Sequence, residues 1–472
     1  MVKRFSTFLE SKHDLLLELI EKLSKKFEYI SILGTDCEGK FISVSNKIVS
    51  VTDSRWQERG FVVRVFANGL YSECAFDDIT DVKETSDKII EKVDVADQLY
   101  KAIYAKQIKN EKYDEEGITR FLSKMGEYTD VPIDEVIETS KRIIESSMEN
   151  NEYIIAANVG VEYLKVSKMF ISKKKDLKQV YAWANAGYQC IVNKNGITKS
   201  LRGGVSGMSL RKTIDDFEKI IDKINDDATS LLDAIKIEPG VYECITSPEV
   251  SGLIAHESFG HGMEMDMFVK NRALGAKYLG DMIGTNLVNI NDSALENKEV
   301  ASYYFDDEGT FATTVELIKD GKLKTGIADA IAAKKLGILP TGNGRRESYR
   351  HKAYTRMTST YFVPGKSYLN DMIKSIKYGF FIDSYQSGME DPKNWGLQCV
   401  ALVGKEIKDG SFTGRCISPV VMTGYVPDVF KSIDMVSRDF KLLGTGTCGK
   451  GHKEFVKTAI GGPYLKVKVK IG

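Results

Sequence analysis

Histidine is scarce in this 472-residue chain, which holds five: His13, His256, His261, His351 and His452. Two of them stand five residues apart in HESFGH, residues 256–261, with Glu257 directly after the first. Imidazoles are zinc ligands, and a carboxylate beside them can take a proton from an attacking water and later pass it to a leaving amine, which is hydrolase chemistry. The interval is unusual. Histidines four residues apart lie about 40° apart around an α-helix and meet one ion, whereas five residues leave the rings about 140° apart. A shared ion therefore requires the helix to widen or break, and Gly260 and Gly262, on either side of His261, make a π-bulge inexpensive there. Alone, such a string is as often a pair of surface or core-satisfied histidines as a metal site.

Catalytic zinc keeps three protein ligands and one open position, so a third ligand is needed. Near the C-terminus GTGTCGKGHK sets Cys448 and His452 among four glycines, where backbone can approach a metal or substrate closely. Cys448 is the leading candidate, although a single cysteine is more often a buried small hydrophobe. His452 would donate to a developing oxyanion if this loop lies at the site. Asn343, Arg345 and Arg346 in TGNGRRES form a glycine-flanked loop suited to holding a peptide carboxylate or carbonyl, with intramolecular pairing slightly favoured. Asp306, Asp307 and Glu308 could ligate metal, orient an imidazole or form a solvated turn. Neither GNG nor GTGTCGKG has the spacing of a nucleotide-binding phosphate loop.

The segment HESFGHGMEMD at 256–266 resembles the metal signature of the TldD/PmbA family. DDEGT at 306–310, PTGNGRRESYRHKAYTRMTSTYF at 340–362 and GTCGKG around Cys448 resemble further blocks of that family in the same order. WQERGFVVRVFANGLYS at 56–72 is similar, more weakly, to its N-terminal domain. The resemblance implies a zinc peptidase acting on small or unfolded peptides, with His256, His261 and Cys448 as Zn2+ ligands and Glu257 as general base. It also implies a homodimer, or a heterodimer with a PmbA/TldE-like subunit that lacks the motif. The alternative is that this chain is itself a non-catalytic PmbA/TldE-like peptide-binding or partner subunit, against which the intact motif argues. The family resembles proteins described as modulators of DNA gyrase. Lys plus Arg equals Asp plus Glu at 66 each, however, so no bulk positive field supports direct nucleic-acid contact.

The elements that must position these residues read as α+β. Apolar residues recur at helical spacing over 6–27, short β-like pieces run from Tyr29 to Phe76, and a helical stretch covers roughly 81–112. A second helix at 133–150 precedes the strand candidates YIIAANVGVEYLKVSKMFIS and QVYAWANAGYQCIVNKNG, and another helix spans about 213–235. From Pro239-Gly240 onward short strands and glycines dominate. Three units follow: an N-terminal α+β domain at 1–112, a middle α+β domain at 113–235, and a large strand-rich metalloprotease domain at 236–472. The seven cysteines are scattered without a CxxC pair, the N-terminus reads as neither signal peptide nor anchor, and no apolar run reaches bilayer length. A cytoplasmic protein without membrane contact is expected. Strand-rich composition further suggests that an extended peptide could add to an exposed sheet edge.

Overall fold

The computed structural model describes residues 4–103, 110–115, 117–125, 131–295, 299–389, 391–452 and 454–472. Its first element is the helix Thr7–Leu23, started by Ser6, whose hydroxyl accepts the Leu9 N–H at 3.1 Å. Leu9, Leu16, Leu19, Ile20 and Leu23 make one buried stripe, as their spacing predicts. The β-like pieces that follow do not end at their glycines. Tyr29–Ser45 is a single strand that runs through Gly34 and Gly39. A Cβ at Gly39 would stand 2.0 Å from the Tyr163 carbonyl oxygen, so this glycine lets two strands approach rather than turning the chain. Ile154–Ser172 likewise continues through Gly160.

Residues 1–112 and 113–235, expected as separate units, contribute strands to one eight-stranded sheet. Its seam is the antiparallel pairing of Tyr29–Ser45 with Ile154–Ser172, which keeps register from Ser31↔Ser172 to Ser45↔Asn158. The helix expected over 213–235 divides into Leu210–Glu218 and Ile221–Ser230.

A different sheet system begins at Gly240. Tyr378–Met389 pairs with both Gly240–Thr246 and Gly396–Lys408, and with Leu465–Ile471 and Val420–Tyr425 these strands close on themselves. Closure removes the free edge there on which an added peptide strand would form. A six-stranded sheet that includes Ile290–Ser293, Thr314–Lys319, Ser359–Phe362 and Ala459–Gly462 lies beside it. The largest core draws on both sheets and contains Leu253, Ile254, Phe259, Met357, Trp395 and Cys448. Among the described residues no helix is long and apolar enough to cross a membrane.

The two halves are joined by buried charge. Arg64 pairs with Glu308 and, at 2.6 Å, with Glu73, which also pairs with Arg346. Lys168 pairs with Asp307, and Asp306 accepts the N–H groups of Glu308, Thr310 and Gly344. Burial, with Glu308 nearby, pushes the Asp306 carboxyl up to about 8. The acidic run is therefore neither a metal ligand nor a solvated turn; it docks the C-terminal half onto the N-terminal sheet. Taking away one partner of a buried pair strands the other charge. Arg64→Met is accordingly expected to lower unfolding stability by about 3–5 kcal/mol. Unchanged denaturant unfolding would show that this pairing does not hold the halves together.

Candidate metal centre

Ser247 caps the short helix Pro248–Leu253, accepting the Val250 N–H at 3.4 Å. Gly252 lays this helix directly on Ala459–Gly462, since a Cβ there would stand 2.1 Å from the Gly461 nitrogen. The helix then widens: Ile254–Phe259 is a π-helix, and the Gly260 N–H is shared between the Ala255 carbonyl, five residues back, and the His256 carbonyl, four back. A tight 3-10 turn, Gly260–Met263, follows. Widening is the distortion that a five-residue interval requires, and it brings the His256 and His261 rings to a centroid distance of 5.1 Å at 83°.

Cys448 comes from the hairpin of Thr447–Lys450 with Glu454–Lys457, where it pairs with Val456. Its Sγ lies 3.5 Å from His261 Nε2, and one ligand atom from each of His256, His261 and Cys448 lies within 4.8 Å of the others. All three residues are buried. Burial alone pushes the Cys448 thiol up, but His261 and then His256 outweigh it and hold the thiol well below its usual range. Burial lowers His261, and Cys448 and Glu264 reverse this to raise it well above the ordinary histidine value.

The surroundings fix these groups in place. His261 Nδ1 faces Glu264 Oε2 at 3.3 Å, so its other nitrogen is turned to the sulfur. Burial raises the Glu264 carboxyl, yet Lys450 and His261 bring it down to about 2. Lys450 Nζ contacts Glu264 at 3.0 Å, Asp266 at 2.6 Å and the Thr355 carbonyl at 2.9 Å. Arg356, only 1% exposed, donates to the Cys448 carbonyl at 2.6 Å and pins the hairpin. Glu264, Asp266 and Lys450 stand within the quoted motifs, but nothing in their types assigns them this supporting role.

Glu257 points to the rim, its side chain 27% exposed and Oε2 3.9 Å from His261 Nε2. The other expected site residues are placed differently. Asn343 is buried, donating to Asp292 at 2.9 Å and the Arg356 carbonyl at 3.0 Å while accepting from Thr341. Both of its amide hydrogens are used within the chain, so it secures the loop and has no donor left for substrate. Arg345 donates to the carbonyls of Met357 and Lys457, again inward. His452 is exposed in the turn of the Cys448 hairpin. Sequence reasoning missed Tyr385. Its phenol is raised by burial, and Glu249 and Glu257 add to the shift. A Cβ on Gly446 would stand 3.6 Å from its hydroxyl. Tyr385 thus packs against the segment that leads into Cys448 and feels the charge of Glu257.

The donor set fits zinc. Two imidazoles and a thiolate form a three-ligand set, and tetrahedral Zn–S and Zn–N bonds of about 2.3 and 2.0–2.1 Å separate S from N by about 3.5 Å, the Cys448–His261 distance found here. His256 Nδ1 is buried without a hydrogen-bond partner among the described residues.

Residues 239–472 match the family model for the PmbA/TldA metallopeptidase C-terminal domain, and the chain belongs to the PmbA/TldD family. A metalloprotease of Methanocaldococcus jannaschii is 26% identical over 443 residues, 92% of this chain and 95% of that protein. The zinc metalloprotease TldD homolog of Saccharolobus solfataricus is 32% identical over 235 residues, 49% of this chain. That alignment spans about half the relative's length, 52%. The crystal structure of TldE from Thermococcus kodakarensis shares the fold, with a TM-score of 0.74 at 17% identity over 97% of this chain and 100% of that one.

A methyl group at Gly260 would stand 2.3 Å from Met357 Sδ and 2.9 Å from the Ala255 oxygen, obstructing the π turn. Gly260→Ala is expected to weaken uptake of Zn2+ or Co2+ by about 10- to 100-fold. Metal titration followed by the cobalt–thiolate absorption checks this; unchanged affinity would show that the rings meet without the turn.

Proposed function

We propose that this chain is a zinc-dependent peptidase of the TldD type that hydrolyses small or unfolded peptides. The observation that carries the reading is the buried convergence of His256, His261 and Cys448 beside a partly exposed Glu257. In it the two histidines and the cysteine would hold Zn2+, which when bound supplies a Lewis acid for the peptide carbonyl and for water. Glu257, at the rim, takes the proton of the attacking water and delivers it to the leaving amine. Tyr385, kept neutral by burial, has an O–H to donate to the carbonyl oxygen as charge develops there.

The names of the relatives support metalloprotease chemistry. A complete donor set weighs against the non-catalytic reading. The seven cysteines are all free and buried, which suits a reducing cytoplasm. We infer association as a homodimer, or as a heterodimer with a PmbA/TldE-like subunit, without direct nucleic-acid or membrane contact. Asn343 and Arg345 are not part of the proposed substrate contacts, and His452 stays a candidate through its hairpin alone.

The test compares zinc-loaded wild type with Glu257→Gln on an unstructured peptide mixture. Glu257→Gln is expected to keep its zinc and lose about 10²–10⁴-fold in rate, whereas His261→Ala and Cys448→Ser lose the metal itself. Equal rates for wild type and Glu257→Gln would overturn the assignment of the base.

A further inference from the structure

A metal ligand must be held to within about 0.5 Å of its place, so the chain leading to it must be held as well. Cys448 is reached through Gly444, Thr445 and Gly446. The amide side of that segment is held by the N-terminal half: Ser206, on the strand Ile197–Gly207, accepts the Gly444 N–H at 2.6 Å. A Cβ on Gly444 would stand 2.4 Å from Val300 Cγ2 and 3.1 Å from Glu299 Oε1, so the segment is seated where a side chain has no room. The Thr445 methyl covers Gly204 of the same strand, where a Cβ would stand 2.9 Å from it.

The carbonyl side of the segment is held by Lys457. This buried residue stands opposite Thr447 in the Cys448 hairpin, and its ammonium donates to the Gly444 carbonyl at 3.2 Å and to the Gly446 carbonyl at 3.5 Å. Its Nζ also lies 5.0 Å from the centre of the Trp183 ring, which belongs to the strand Lys175–Lys194 of the N-terminal sheet. An ammonium has three N–H donors, and two carbonyls and one aromatic face account for them. Burial brings this amine down to about 8 while Glu162 opposes the shift, so the fold keeps a cation where an apolar side chain would cost less. Packing does not call for a lysine here; two carbonyls that must be held in place do.

We propose that Ser206 and Lys457 are positioning residues for the third metal ligand: they clamp Gly444–Gly446 by its amide and carbonyl sides and so fix Cys448 relative to the N-terminal sheet. Arg356 holds the carbonyl of Cys448 itself, and the clamp holds the chain before it. The two imidazoles are set by the π turn within the C-terminal core, whereas the sulfur is set from outside that core, since Ser206 and Trp183 belong to the N-terminal sheet. A shift of that sheet against the C-terminal half therefore moves the sulfur relative to the rings. The inference rests on the three-ligand reading of the centre and not on peptide hydrolysis.

Cobalt uptake by the full chain separates this role from plain structural support, because the cobalt–thiolate absorption reports the sulfur alone. Ser206→Ala removes the acceptor, and Lys457→Met removes the charge with little change of volume. Each variant is expected to bind Co2+ about tenfold more weakly than wild type and to lose thiolate absorption at saturating metal, while the metal-free protein keeps the wild-type circular dichroism. Should Lys457→Met not fold, Ser206→Ala decides the question alone. A lowered Tm with wild-type cobalt affinity and an unchanged thiolate band would overturn the clamp, since a bond that serves only the fold shifts stability and not ligation. No thiolate band in the wild type would overturn the three-ligand centre and the proposal with it.

Discussion

The π turn Ile254–Phe259, at whose end the Gly260 N–H is shared between the Ala255 and His256 carbonyls, is the feature that lets the two candidate zinc ligands His256 and His261 meet. In a regular α-helix His256 and His261 would face directions about 140° apart. Widening the turn toward five-residue closure brings both imidazoles to one side. That turn tolerates no side chain at Gly260 and ends where Gly262 packs on Trp395. Other parts of the C-terminal half follow from it. The helix before the turn lies against Gly461 because Gly252 allows backbone contact, and the hairpin bearing Cys448 is held at the third position by Arg356.

The electrostatics of the centre serve the same end. Burying two imidazoles and a thiol in an apolar core is unfavourable unless each has a partner. Here the sulfur faces both rings, His261 leans on Glu264, and Glu264 leans on Lys450, which also holds Asp266. Each buried charge has an opposite neighbour, and the chain of contacts ends at the Thr355 carbonyl. A divalent cation bound there would be held by neutral imidazoles and a thiolate, so its uptake would compete with protons. The same logic joins the two halves of the molecule, where Arg64, Glu73, Glu308 and Arg346 form a buried network.

The convergence of the candidate ligands was legible in the sequence because the interval between the two histidines violates helical geometry and the violation demands a remedy. The flanking glycines announced it. The α+β character and the helices Thr7–Leu23 and Ile133–Asn150 were readable from apolar spacing, which local periodicity encodes. A glycine within a strand was misleading: Gly39 looks like a turn signal but permits close packing, a tertiary property that no local pattern carries. The sharing of one sheet by strands before and after residue 112 is invisible for the same reason, since register between distant segments is set by packing. Asn343 and Arg345 misled differently. Their types suit a substrate loop, and only the structure shows their donors turned to Asp292 and to backbone carbonyls. Tyr385 gave no signal at all, as one of 22 tyrosines brought to the centre only by the closed sheet.

If one ion is held jointly by the two histidines and Cys448, X-ray absorption at the zinc edge of the loaded protein shows one sulfur at about 2.3 Å and two imidazole nitrogens at about 2.0–2.1 Å, in four-coordinate geometry. A shell of nitrogen and oxygen without sulfur, or with a single imidazole, would contradict it.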